Sequence, residues 1–224
     1  MRHVIILPAF NEAPAIGEVI RDIHRHGFPR IIVVDDGSTD KTAAIASERG
    51  AYVISHRINR GKGAAVKTGM EGARFLGTDI IVTMDADGQH QAKDIYALIT
   101  PILSGHCDIA LGTRQWKSSA IPRHRALQNL AANTATWLLY HQWVADSQSG
   151  FRAYSRLAAD CIDTAADYYD FDSDVIREIR AHQLRFAEVP ISVRYSSYAR
   201  TKSTRQSLGS GLVTAARMLW QRVA

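Results

Sequence analysis

The order of apolar runs along this chain predicts an α/β fold: a mostly parallel sheet with helices on both faces. Three observations carry that expectation. Short β-branched runs recur through the first half, stretches with helical spacing separate them, and acid- and glycine-rich turns follow the carboxyl ends of the runs. Val4 to Leu7 is the first run, and Ile16, Val19, Ile20 and Ile23 then repeat at helical spacing. Ile31 to Val34 is the second strand, closed by Asp35-Asp36-Gly37-Ser38, where Ser38 or Asp40 is placed to cap the next helix. Tyr52 to Ile54 is a third strand, Ala64 to Leu76 a helix, and Ile80 to Met84 a fourth strand ending at Asp85. Ala92 to Leu103 reads as helix and Ile109 to Leu111 as a fifth strand. Repeated units of this length imply a parallel sheet covered on both sides, with ligands beyond the carboxyl ends of the strands.

The second half is less regular. Residues 124–143 predict a long helix rich in Ala, Leu and Trp, and residues 156–182 are mostly helical. Phe186 to Tyr195 contains a strand ending near Pro190, residues 196–207 form a polar, basic loop, and a last helix runs from about Leu208. In that helix Leu208, Leu212, Ala215, Leu219 and Val223 share a face beside Trp220, with arginines elsewhere. Such a helix packs on the core or on a second subunit, or lies on a bilayer. Trp137 to Tyr140 with Trp143 is a second stretch suited to lipid or dimer contact.

Bulk composition narrows the function. With 224 residues, 46% apolar and 22% charged, the chain suits one large domain, or one with a C-terminal extension, and not a disordered segment. A net charge of +5 favours anionic partners: nucleotides, lipid phosphates or an acidic membrane surface. No aromatic–basic strand face supports a nucleic-acid partner. Cys107 and Cys161 stand in no metal-ligand spacing and read as reduced thiols of a cytoplasmic protein. The nine histidines form no His-x-x-x-His or Glu-x-x-His cluster. The four apolar residues Val4 to Leu7 stop at Pro8, too few for a signal-peptide core, and no window nears the roughly 20 needed to cross a bilayer.

Asp85-Ala86-Asp87-Gly88-Gln89-His90 is the most informative stretch. Two carboxylates at a strand end face one site once the chain turns, and hard divalent ions take such oxygens, completing their shell with phosphate and water. Asp85 and Asp87, with the neutral oxygen of Gln89, are therefore a candidate ligand set for a hard divalent cation; the plain alternative is a solvated turn or helix cap. Asp35 to Asp40 offers carboxylates to a base or ribose, or only a capping turn. Asn59-Arg60-Gly61-Lys62-Gly63-Ala64 looks like a phosphate loop but lacks the Walker spacing and the dinucleotide fingerprint, which disfavours a triphosphatase or a Rossmann dehydrogenase.

Leu7 to Glu12, Val33 to Ser38, Asn59 to Gly63, Asp85 to His90, Gly112-Thr113-Arg114 and Ser149-Gly150-Phe151-Arg152 occur in that order. Together they resemble the family 2 glycosyltransferases, which have the GT-A fold, and among them the polyprenyl-phosphate mannose or glucose synthases. The resemblance covers roughly residues 3–203, and residues 1–207 are read as the catalytic domain, with residues 208–224 as a C-terminal amphipathic helix.

The resemblance implies a GDP- or UDP-sugar donor and a polyprenyl-phosphate acceptor, with the chain peripheral on the cytoplasmic membrane face. Pro8, Phe10 and Glu12 would frame the nucleoside, and Val34 and Asp36 would contact the base. Asp85 and Ala86 would line the sugar diphosphate, and Asp87 with Gln89 would ligate Mg²⁺ or Mn²⁺. Arg114 and Lys202 match phosphate-holding positions, and Arg125 falls near an arginine that meets the acceptor phosphate. Glu188 to Ser192, followed by Lys202, repeats a family segment at its spacing. Ser196 departs from the family, standing where mannose synthases carry arginine. There is no Gln-x-x-Arg-Trp motif of the processive members.

A phosphate acceptor is already anionic, so arginine and lysine suffice to offset repulsion between two anions. A hydroxyl acceptor instead needs a carboxylate base, for which Asp146 is the candidate; its plain alternative is a turn acid. A non-catalytic nucleotide-sugar binder is the remaining reading.

Overall fold

A computed structural model describes residues 1–114, 123–164 and 171–194, with the side chains of 123–128 and 131–132 excepted. Residues 115–122, 165–170 and 195–224 lie outside the described part, and with them Lys202, Ser196, the expected C-terminal helix and most of the aromatic run Tyr168–Asp172, which in sequence suits an acceptor pocket or a loop anchor.

Among the described residues seven strands form one sheet: β1 (His3–Ala9), β2 (Ile31–Asp35), β3 (Tyr52–Ser55), β4 (Ile80–Thr83), β5 (Ile109–Arg114), β6 (Arg152–Ser155) and β7 (Phe186–Ile191). Their order is β3-β2-β1-β4-β6-β5-β7. All neighbouring pairs are parallel except those of β6, which runs antiparallel to β4 and β5. The sheet is therefore mixed but mostly parallel, as expected.

Alternation of side chains across the strands divides the interior into two apolar layers. Ile5, Leu7, Ile31 and Val33 point to one face, where Ile16, Val19, Ile20 and Ile23 of α1 (Ala13–Arg25) and Ile95, Leu98 and Ile99 of α4 (Ile95–Leu103) cover them. Ala46 of α2 (Thr42–Glu48) joins this layer. Val4, Ile6, Ile32 and Val34 face the other way, onto Ala65, Val66, Met70 and Ala73 of α3 (Lys62–Phe75). The same layer holds Ala158 and Ala159 of α6 (Arg156–Cys161) and Val175, Ile176 and Ile179 of α7 (Phe171–Ala181). The long helix α5 (Arg123–Tyr140) packs beside α7. Helix α3 can lie close on β1 because of Gly69: a Cβ there would overlap Ile6 and press on Val34.

The sequence expectations meet three corrections. Strand β6 was not anticipated, because Arg-Ala-Tyr-Ser is short and opens with a charge that is in fact buried. The helix expected from Ala92 begins with a 3₁₀ turn, Ala92–Asp94, before α4. The helical stretch after residue 156 is two elements, α6 and α7. Strand β7 includes Pro190; as the outermost strand beyond β5 it tolerates the missing N–H.

Candidate active site

The carboxyl ends of β1, β2, β4, β5 and β7 share one edge of the sheet. The reversed β6 brings its amino end there too, with Arg152 opposite both Thr83 and Leu111. Hence the Ser147–Arg152 segment, which follows Asp146, arrives beside the Asp85 turn. Thr83 Oγ1 fastens the two by donating to the Gly150 carbonyl at 2.8 Å.

The first two turns are stitched to each other. Asn11, in the left-handed region at φ 55°, donates its N–H to Ser38 Oγ (2.9 Å) and accepts from Thr39 N–H through Oδ1 (2.9 Å). Asp40 accepts from the N–H of Ala13 (3.1 Å) and of Thr42 (2.9 Å), so one carboxylate serves the starts of both α1 and α2. Of the two caps the sequence offered, Asp40 is the one used, while Ser38 receives Asn11. Burial alone would raise the Asp40 carboxyl, but the hydrogen bonds from Thr42 and Ala13 outweigh it and hold it below the usual aspartate value. Phe10 projects from the end of β1 with 42% of its surface exposed, whereas Glu12 is buried beside it, its N–H donating to Thr42 Oγ1 at 2.8 Å. Pro8 is half-buried on β1.

Asp36 is buried and accepts three hydrogen bonds: from His56 Nδ1 (2.7 Å), Arg60 N–H (2.9 Å) and Gly61 N–H (2.8 Å). It thus organises the loop that leads into α3. Oδ1 takes two of these bonds and Oδ2 one, so the described residues leave one of the four acceptor positions of the carboxylate unfilled. The Val34 side chain is wholly buried in the layer beneath α3, which leaves only its backbone to meet a base.

The two aspartates of the central turn differ in surroundings. Asp85 Oδ1 lies 2.9 Å from Lys62 Nζ, and its Oδ2 lies 3.4 Å from His90 Nε2. Burial would raise its carboxyl, yet Lys62 and then His90 hold it well below the usual range. Among the described residues, Asp87 receives hydrogen bonds only from Gln89, at Oδ1 from the N–H (2.9 Å) and at Oδ2 from Nε2 (2.6 Å). Burial, and next the charge of Asp85, raise the Asp87 carboxyl above its usual value. Negative charge is thus crowded on a short turn that Gly88, at φ 76°, bends sharply.

Crowded oxygen ligands, with one carboxylate that has no ion-pair partner among the described residues, fit a hard divalent ion such as Mg²⁺ or Mn²⁺. Among the described residues no three His, Cys, Asp or Glu side chains gather into a cage, so a cation here would complete its shell with phosphate and water. Gln89 points its amide nitrogen at Asp87, and offering its oxygen to the same ion requires the amide to turn over. Ala86 is buried under the turn.

Arg114, at the end of β5, donates to Asp146 from its N–H (3.1 Å), Nε (2.7 Å) and Nη2 (2.7 Å). Asp146 is fully buried and Arg114 about a fifth exposed, so the guanidinium forms the open side of the pair. Asp146 is a counter-ion here; to take a proton from an acceptor it must first leave two charge-assisted bonds. Arg125 lies in the first turn of α5, its side chain outside the description.

Sequence reading missed four residues at this edge. Lys62 bridges Asp85 and Asp172 at 2.9 Å each. Arg152, 1% exposed, donates to the carbonyls of Ser149 (2.8 Å), Ser147 (2.8 Å) and Asp172 (2.7 Å), joining the β6 turn to α7. Gly150 was noted only as part of a motif. For Lys62 the one available signal was the glycine on either side, which permits close backbone packing. Asp172 stands at the end of the Tyr168–Asp172 run, but its pairing with Lys62 had no signal in the sequence. Finally, the central turn pairs with the chain after β7: Arg194 N–H donates to the Gln89 carbonyl (2.8 Å), and His90 bridges to Val193.

An acidic pair on a turn at the carboxyl edge of such a sheet, with the exposed Phe10 on a neighbouring turn, fits a nucleotide-sugar glycosyltransferase of the GT-A fold. The chain belongs to glycosyl transferase family 2, whose profile matches residues 4–163. It is 39% identical over 92% of its length to a protein of Methanocaldococcus jannaschii without assigned function, covering 86% of that protein. It is 33% identical over 92% of its length to the UDP-N-acetylglucosamine–dolichyl-phosphate N-acetylglucosaminyltransferase of Methanococcus voltae, 90% of which is covered. Among solved structures, glucosyl-3-phosphoglycerate synthase of Mycobacterium tuberculosis superposes with a TM-score of 0.72 at 23% identity, over 97% of this chain and 78% of that one. The same synthase has been crystallised with Mn²⁺ and UDP-glucose. Among the described residues no helix is long and apolar enough to cross a membrane.

Proposed function

We propose that this enzyme moves a hexose or N-acetylhexosamine from a nucleotide sugar to a polyprenyl phosphate, inverting the anomeric centre, with Mg²⁺ or Mn²⁺ held at Asp87. The observation that carries the reading is the unequal pair: Asp85 is ion-paired with Lys62, while Asp87, among the described residues, is hydrogen-bonded by Gln89 alone. When bound, the cation offsets charge on the departing nucleoside diphosphate. Phe10 offers an apolar face to the nucleoside, and Glu12 stands at the ribose. Arg114, with Lys202 and Arg125, grips phosphate groups of donor and acceptor and offsets their mutual repulsion. Attack from the side opposite the leaving diphosphate inverts the sugar carbon.

Asp146 supports a phosphate acceptor over a hydroxyl. The only carboxylate nominated as a base is committed to Arg114, and an acceptor that is already anionic needs none. The named substrate of the Methanococcus voltae relative, dolichyl phosphate, points the same way. The single acceptor position left on Asp36 suits uracil, which presents one ring N–H, better than guanine, which presents an adjacent N–H pair.

A lipid acceptor brings the enzyme to a bilayer. The face of α5 carrying Leu130, Trp137 and Leu138, with Trp143 just beyond it, is exposed and apolar and suits the interface.

The test combines purified enzyme, a labelled nucleotide sugar, Mn²⁺ and polyprenyl phosphate. An acid-labile labelled lipid is expected, formed with UDP-sugars in preference to GDP-sugars. Asp87→Ala should lower turnover by about 100-fold or more, as loss of a transition-state charge stabiliser does. It should also erase the part of UDP thermal stabilisation that depends on Mn²⁺. Metal-independent turnover in native enzyme would refute the assignment of Asp87.

A further inference from the structure

We propose that Lys62 is a positioning residue that divides the acidic pair, claiming Asp85 and leaving Asp87 for the cation, and that Asp172 sets how strongly it does so. The proposal rests on the cation reading above. Lys62 is the first residue of α3, and its backbone is fixed by the neighbouring Gly61, whose N–H donates to Asp36 at 2.8 Å. Its ammonium sits between Asp85 Oδ1 and Asp172 Oδ2, 2.9 Å from each, and the side chain is 17% exposed. Gly150 closes over the contact. A Cβ at that position would overlap Lys62 Nζ and come within 2.9 Å of Asp85 Oδ1. Asp172 is held in turn, its side chain 5% exposed and its carbonyl accepting from buried Arg152 at 2.7 Å. The ammonium is therefore seated among three elements, α3, the turn before β6 and α7, and is not a surface charge free to swing away.

The consequence is electrostatic. A cation beside Asp87 also feels Asp85, and the positive charge in contact with Asp85 cancels much of that attraction. Asp172 competes for the same ammonium, so its negative charge restores part of it. The two residues thus act on the cation with opposite signs, although both belong to one buried ion-pair network.

Mn²⁺ affinity in the presence of saturating UDP, read from the paramagnetic resonance of free Mn²⁺, tests this without reference to turnover. Asp172→Asn leaves Lys62 to Asp85 alone, and Mn²⁺ should bind several-fold more weakly. Lys62→Met combined with Asp172→Asn removes the ammonium without stranding a second buried carboxylate, and Mn²⁺ should bind about tenfold more tightly than to the single variant, since close charges at a half-buried site interact strongly. Network damage alone would loosen Mn²⁺ in both variants, and that result, or equal affinities, overturns the proposal. If the double variant does not give a cooperative melt, Asp172→Asn decides alone, with unchanged or tighter Mn²⁺ overturning it. Native enzyme that binds UDP but no Mn²⁺ would refute the cation reading itself, a different outcome from either.

Discussion

Asp146 shows what a single residue's surroundings can decide. Its position before Ser147-Gln148-Ser149-Gly150 made it a candidate base, and only the fold reveals that three donors of Arg114 converge on it. We expect Asp146→Asn to leave the amide unable to balance the guanidinium. Removing one partner of a fully buried pair costs about 3–5 kcal/mol, and because Arg114 is partly exposed we expect about 2–3. The kinetic effect separates the roles. A positioning role raises KM for the anionic substrates and leaves the shape of the pH–rate profile intact. A base role removes the acidic limb of kcat, which steady-state rates between pH 5 and 9 would reveal. The metal turn was legible because two acids and a glycine must be contiguous to form it. Lys62 and Asp172 were not, because their meaning comes from a contact between residues 110 positions apart.

At the scale of elements, the regular strands and helices of the first half were readable because each buries one face and so carries its period in the sequence. Strand β6 was not, since a four-residue strand holding Arg152 depends on carbonyls supplied by other segments. The helix starts are a middle case. Asp40 was a visible cap for α2, but its second service to α1, 27 residues away in sequence, was not. Losing both caps in Asp40→Ala should cost about 1–2 kcal/mol by chemical denaturation. Charge adds a pH signature. Because the folded-state carboxyl lies below its ordinary value of 3.8, its contribution is fully present above about pH 3.8 and fades as pH falls through the lower folded-state value. Asp40→Asn keeps the acceptor and removes the titration, so its stability should fall less steeply than the native protein's in that acid window. Parallel slopes for the two proteins would mean that Asp40 titrates alike folded and unfolded.

The whole molecule places two kinds of surface at different distances from the core. The polar edge is fixed by the sheet: the turns carrying Phe10, Asp36 and Asp85 leave β1, β2 and β4, whose register is set by buried neighbours on both faces. The apolar stripe of α5 is on the outside, where Leu130, Trp137 and Leu138 are each about half exposed. Under the proposed function this stripe is suited to a contact with the bilayer surface. A lipid-bound acceptor supplies one, because an enzyme that waits at the bilayer surface searches two dimensions for its substrate. Trp137→Ser with Trp143→Ser should therefore lower the rate several-fold on polyprenyl phosphate embedded in anionic vesicles and reduce vesicle co-sedimentation. The same variant should match the native rate on a short-chain polyprenyl phosphate dispersed in detergent, where no surface has to be found. An equal loss in both assays would place these tryptophans in folding or in the acceptor pocket, and no loss in either would assign the stripe to a protein partner.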